Sequence, residues 1–152
     1  MRPNLWKTPE TALRCLTAVI ELASPLIPVL ESNRMQQIEY FVVRYQPDVV
    51  QENFINIGVV MVGIGDTDFG DARFLTNWTP VLSIDPDADT ELLKECAADI
   101  GDQIRNRRQR RQILKMMMES FSNCIQLSRP RVCVCEDPLT KLDKLSVRYL
   151  QR

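Results

Sequence analysis

Histidine is missing from all 152 residues. That single absence excludes Ser-His-Asp and Cys-His catalysis, imidazole metal ligands and histidine pH switching. Cysteine is present in an odd number: Cys15, Cys96, Cys124, Cys133 and Cys135. Their spacing fits neither a paired disulfide framework nor a zinc site built from CxxC pairs, and points to a reducing cytosol. No apolar run reaches the ~20 residues that a membrane helix needs. The nearest candidate, LRCLTAVIEL, is interrupted by Arg14 and Glu21 and followed by Pro25 and Pro28. Glu21 would fall inside the apolar part of a signal peptide, so the reading is cytoplasmic. No internal repeat or low-complexity tract occurs. A net charge of −1 gives no global attraction to nucleic acid or to an anionic membrane.

What is present is ordinary for a globular chain: 45% apolar and 26% charged residues, enough for one core. Oxygen-bearing residues precede proline at, among others, Thr8-Pro9, Thr79-Pro80, Asp85-Pro86 and Asp137-Pro138. An N-cap oxygen followed by a residue with no amide to orphan is a helix start signal. Helices are expected near 9, 86 and 138, with a short turn near 80. Leu13, Leu16, Ile20 and Ala23 stripe the first, which leads through SPLIPVLESNR to Met35. Residues 1–34 therefore read as an N-terminal helical extension, and Met35 is itself a potential start.

From 35 onward the pattern reads as one domain to residue 152. Residues 38–46 alternate, with Phe41, Val43 and Tyr45 on one face and Ile38, Tyr40, Val42 and Arg44 on the other. Residues 53–62 are expected to present Ile55, Ile57, Val59 and Met61 on a single apolar face. A third strand is expected over 72–76, and strand alternation returns in IQLS and RVCVC, with Pro130 marking an edge or bulge. Between them the period is helical: Leu92, Cys96, Ile100 and Ile104, with Leu93 and Ala97 beside them, then Ile113, Leu114, Met117, Met118 and Phe121. Leu139, Leu142, Leu145 and Tyr149 stripe the last helix. The expected class is α+β, a mostly antiparallel sheet of about four strands with helices packed on one face.

Polar residues gather in RYQPDVVQENFINIG. If the hairpin pairs with an even register sum, Arg44, Asp48, Glu52 and Asn56 project to one side. They could form a structural clasp, a recognition surface or a reactive site; no nucleophile or base accompanies them. The segment 105–115 carries Arg105, Arg107, Arg108, Arg110 and Arg111, a phosphate-binding composition or else a solvated helix face. Asp85, Asp87 and Asp89 have calcium-loop spacing, but Thr90 and Cys96 stand where glycine and glutamate are needed, so helix capping is the better reading. Cys124, Cys133 and Cys135 supply too few ligands for zinc and read as small buried residues. No metal and no cofactor is expected.

The stretch YFVVRYQPDVVQENFINIGVVMV resembles the opening of domain-of-unknown-function family 3037, a family of bacterial proteins. Tyr40, Arg44, Tyr45, Pro47, Asp48, Phe54, Asn56, Gly58, Val59 and Val60 match its pattern, and Asn53 departs from it between Glu52 and Phe54. ESFSNCIQLSRPR (119–131) is similar to a second segment of the same family. The resemblance spans about 35–150. It implies no reaction. It does imply an accessory or regulatory role beside a protein partner, with a HipA-like kinase as the candidate. If the two motif segments lie on neighbouring strands, Arg44 and Asn56 meet Gln126, Ser128 and Arg131. The expected function is a non-enzymatic partner-binding domain. A small enzyme or ligand-binding protein using that polar site, and a nucleic-acid binder using the arginines of 105–111, are the alternatives.

Overall fold

A computed structural model describes residues 35–48, 50–119 and 124–150. The expected helix near residue 9 and the extension 1–34 lie outside the described residues, as does the expected Phe121 in its helical stripe.

The first motif folds as a hairpin, β1 (Gln36–Tyr45) and β2 (Ile55–Gly63), and β3 (Gly70–Phe74) extends it. Three helices follow: α1 (Thr79–Ile84), α2 (Thr90–Arg105) and α3 (Arg110–Glu119). The chain then returns as two short strands, β4 (Ile125–Leu127) and β5 (Arg131–Cys135), and closes with α4 (Pro138–Leu150). All described strand pairs are antiparallel. The order is β3-β2-β1-β4, and β5 also pairs with β1. The α+β class with an antiparallel sheet is thus observed. The fifth strand arises because Ser128–Pro130 divides the expected final strand into two.

The helices differ from expectation in covering both faces of the sheet. Phe41, Val43 and Tyr45 of β1 join a core with Leu93, Ala97, Ile100 and Ile104 of α2, Val81 of α1 and Ile113 of α3. Ile38 and Tyr40, on the opposite face of β1, pack with Leu142 and Leu145 of α4. Both faces of β1 were legible as apolar; the second simply receives its own helix.

The single apolar face expected for β2 is also corrected. Pairing runs from Ile38↔Gly63 to Val43↔Gly58, then shifts to Arg44↔Asn56 and Tyr45↔Ile55. Ile57 is the extra residue of that bulge. A one-residue shift turns side chains to the other face. Val59 and Met61 therefore pack toward α4, while Ile55 and Ile57 join the larger core.

Helix starts follow local capping. Pro80 lies in the first turn of α1, making a short helix where a turn was expected. Asp85-Pro86 forms a turn instead of a start, and α2 begins at Thr90. There Asp89 is the N-cap and accepts a hydrogen bond from the Leu92 amide at 3.0 Å. The buried stripe of α2 runs through Leu93, Ala97, Ile100 and Ile104, and Leu92 faces outward. The Tyr45 hydroxyl donates to Asp85 at 2.6 Å, tying the end of β1 to the α1–α2 connection.

Candidate functional site

Arg44 sits in the middle of a row across the sheet. Its register partner is Asn56 on β2 and Gln126 on β4, so the three Cα atoms are successively about 4.5–5.5 Å apart. Both neighbours of β1 change register close to this row. On the β2 side the change is the Ile57 bulge. On the other side, Ser128 donates its amide to the Val42 carbonyl, and its Oγ accepts the Val42 amide, each at 2.9 Å. The serine hydroxyl thus takes the place of a ladder carbonyl. Pro130 has no amide to offer, and β5 resumes one position out of step, with Arg131 opposite Tyr40.

The C-terminal turn of α4 closes over this row. Asn56 Nδ2 donates to the Tyr149 carbonyl at 3.3 Å, and Arg131 Nη1 donates to the Tyr149 hydroxyl at 2.8 Å. The Tyr40 and Tyr149 rings lie 6.3 Å apart. The Tyr40 hydroxyl pushes the Tyr149 phenol up, as does burial, against the opposing pull of Arg131 and Arg148. The Arg44 guanidinium lies 4.5 Å from the centre of the half-exposed Phe54 ring, a cation–π contact.

Two buried polar atoms find no partner among the described residues: Arg44 Nε and Asn56 Oδ1. One is a donor and the other an acceptor, on directly paired residues. An unsatisfied buried group costs about 1–3 kcal/mol and calls for an explanation. Asn56, with the Phe54 ring that covers Arg44, lines a cleft of about 440 Å³. Its lining mixes Phe54, Phe74, Leu75 and Leu150 with Asn56, Arg73, Asn77, Ser146 and Tyr149. That volume is within the range of ligand pockets.

The even sum expected for the hairpin fails from Ile38 to Val43 but holds at Arg44↔Asn56 and Tyr45↔Ile55, while the carboxylates placed beside Arg44 are elsewhere. Asp48 is exposed and accepts the Val50 amide at 2.8 Å, shaping the turn. Glu52 is exposed with φ 54°, in the left-handed region. Neither forms an ion pair with Arg44. The charged clasp is therefore absent, while Arg44, Asn56 and Gln126 form one row, and Arg131 is linked to it through Tyr149. Tyr149 and Arg73 were not picked out as site residues in the sequence. Tyr149 was visible only as the end of an apolar stripe, where a ring with a polar tip meets solvent.

The arginines of 105–111 mostly serve the fold. Arg105 bonds Asp71 at 2.8 Å and Asp102 at 3.1 Å. Arg110 bonds Asp68 at 3.2 Å and the Ile104 carbonyl at 2.7 Å, and Arg107 lies 3.7 Å from Asp68. Arg108 and Arg111 are exposed and have no ion pair among the described residues. The cluster thereby fastens the α2–α3 junction to the loop and strand at 63–74. Burial raises the Asp71 carboxyl, but the Ala72 amide, Arg73 and Arg105 outweigh it and hold the group below its ordinary value. On the other side of the molecule, burial pushes the Cys133 and Cys135 thiols up, away from thiolate chemistry. No group of potential metal ligands occurs among the described residues. No helix among them is long and apolar enough to cross a membrane.

The class defined here is an α+β domain whose antiparallel sheet carries a polar row at one end of its central strand. Residues 40–150 match the family described as protein of unknown function (DUF3037), and the chain belongs to that family. No curated protein and no solved structure matches the chain.

Proposed function

We propose that this protein is a non-enzymatic accessory domain that holds a segment of a protein partner at the Arg44–Asn56 end of the sheet. The observation that carries this reading is the adjacent unfilled donor and acceptor, Arg44 Nε and Asn56 Oδ1, of which Asn56 and the Phe54 ring stacked on Arg44 line the cleft. A peptide unit offers their complement: its carbonyl accepts from the guanidinium and its amide donates to the asparagine oxygen. The apolar part of the cleft, Phe54, Phe74 and Leu75, suits a neighbouring side chain. Phe54 stacks on Arg44 from the solvent side and is the group that must move for the guanidinium to be reached. A HipA-like kinase is the first partner to test, in the cytoplasm of the host.

The deciding experiment is capture of partners from the native host by the tagged full chain, beside Asn56→Leu and Arg44→Met. Wild type is expected to retain a specific protein, and each variant to weaken retention at least tenfold with its melting transition intact. Retention unchanged in both folded variants would remove the site from the proposal. Turnover by the isolated chain would remove the word non-enzymatic.

The cleft volume also favours a second reading, a small amphipathic ligand held by the same polar row. Thermal-shift screening against metabolites distinguishes it: a hit abolished by Asn56→Leu supports the ligand, and capture of a protein in its absence supports the partner. The nucleic-acid reading is disfavoured by the carboxylate partners of Arg105, Arg107 and Arg110.

A further inference from the structure

Strand β5 pairs with β1 along one edge, and no described strand pairs with its other edge. Its side chains alternate sharply. Cys133 and Cys135 turn toward the α4 core, whereas Val132 and Val134 are 63% and 49% exposed. Open strand edges are usually protected by lysine, by an internal proline or by covering structure. Arg131–Cys135 contains neither lysine nor proline, and its outward residues are β-branched and apolar.

The flanks of β5 are oppositely charged. Arg129 and Arg131 lie at its start, and Asp137 follows its end. None of the three forms an ion pair among the described residues. The Asp137 carboxylate accepts from the Leu139 amide at 3.2 Å and from the Thr140 hydroxyl, which fixes its position at that end. Such an edge is complementary to itself when run antiparallel.

We propose that two copies of this chain associate through β5, pairing antiparallel about a two-fold axis at Cys133. In that register Val132 of each copy lies opposite Val134 of the other, giving two cross-strand valine pairs on one face. Arg129 lies opposite Asp137 of the second copy, with Arg131 diagonal to it. Cys133 faces its own equivalent across the axis. A two-fold contact of this kind uses the same patch on both subunits, so it closes at a dimer. The surface shares only Arg131 with the Arg44–Asn56 site, and the residues changed in its test, Arg129, Val132 and Val134, lie outside that site, so the test is independent of that reading.

Sedimentation velocity of the full chain over a range of concentrations measures the association. Wild type is expected to dimerise, and Val132→Asp with Val134→Asp to raise the dissociation constant at least tenfold. Arg129→Glu, an exposed single change, is expected to weaken the dimer several-fold and to blunt its salt dependence. Register is read by copper-catalysed air oxidation followed by peptide mapping. Paired Cα atoms about 4.5–5.5 Å apart are within disulfide reach, so an interchain Cys133–Cys133 link is expected. A monomer at every concentration, including one whose edge is occupied by another segment or protein, overturns the proposal. A dimer indifferent to the valine and arginine changes and lacking that link overturns it equally.

Discussion

Ser128 holds a position that backbone pairing alone would leave short of one acceptor. Its hydroxyl receives the amide of Val42, a residue 2% exposed. Ser128→Ala is expected to cost about 1–3 kcal/mol, because the Val42 amide is left unsatisfied without gaining access to water. Chemical denaturation checks this, and Ser128→Thr, which keeps the hydroxyl, should recover most of the loss. Gly70 carries a comparable constraint by different means. A Cβ there would collide with the Arg110 guanidinium and the Ile104 carbonyl. Gly70→Ala is expected to destabilise by roughly 1–3 kcal/mol through overpacking and to displace Arg110 from Asp68. The same denaturation experiment on Gly70→Ala in an Arg110→Ala background should show the penalty shrink, since half of the obstruction is gone.

At the scale of elements, α2 illustrates how capping chemistry chooses among neighbouring acids. Asp85, Asp87 and Asp89 all look able to start a helix, and only Asp89 accepts an amide from the first turn. Asp85 instead accepts the Asp87 amide at 3.2 Å and receives the Tyr45 hydroxyl. Asp89→Ala is expected to cost about 1 kcal/mol, while Asp87→Ala should be near neutral; thermal unfolding of the two variants compares them. The helices and strands were legible in the sequence because periods of 3.6 and 2 survive in α2, α4 and β1. The face assignment of β2 was not, since a bulge has no signature in a run as apolar as Ile57–Val62. The register change hid in the same way: the unpaired Ile57 brings Asn56 opposite Arg44, as an even sum requires, whereas Asp48 and Glu52 fall in the exposed turn beyond the paired residues. The meeting of the two motif segments could be argued from their shared polarity, but the link from Arg131 to the row through Tyr149 required the path of α4.

For the whole molecule, two titrating groups bound the range of stability. Asp71 has a folded value below its unfolded 3.8, so its contribution is present above the unfolded value and lost as pH falls through the folded one. The stability gap between wild type and Asp71→Asn is expected to narrow as pH drops from 5 toward ~2.5, followed by denaturation midpoints. Tyr45 behaves oppositely. Burial, then the hydrogen bond to Asp85, raise its phenol above the ordinary 10.0. Its contribution is complete below that value and declines as pH rises through the folded one. Tyr45→Phe is expected to retain more of its stability than wild type above pH ~10, checked by alkaline unfolding.

Strand β1 is the hub of the sheet: β2 flanks it on one side, and β4 and β5 on the other. The Val42–Ser128 contact on that second side joins positions 86 residues apart. During synthesis the first strand must therefore wait, half its backbone unclaimed, until nearly the whole domain has left the ribosome. Non-local pairing of this kind slows folding and prolongs exposure of a sticky strand, so nascent chains stalled before residue 125 should be preferred clients of holdase chaperones.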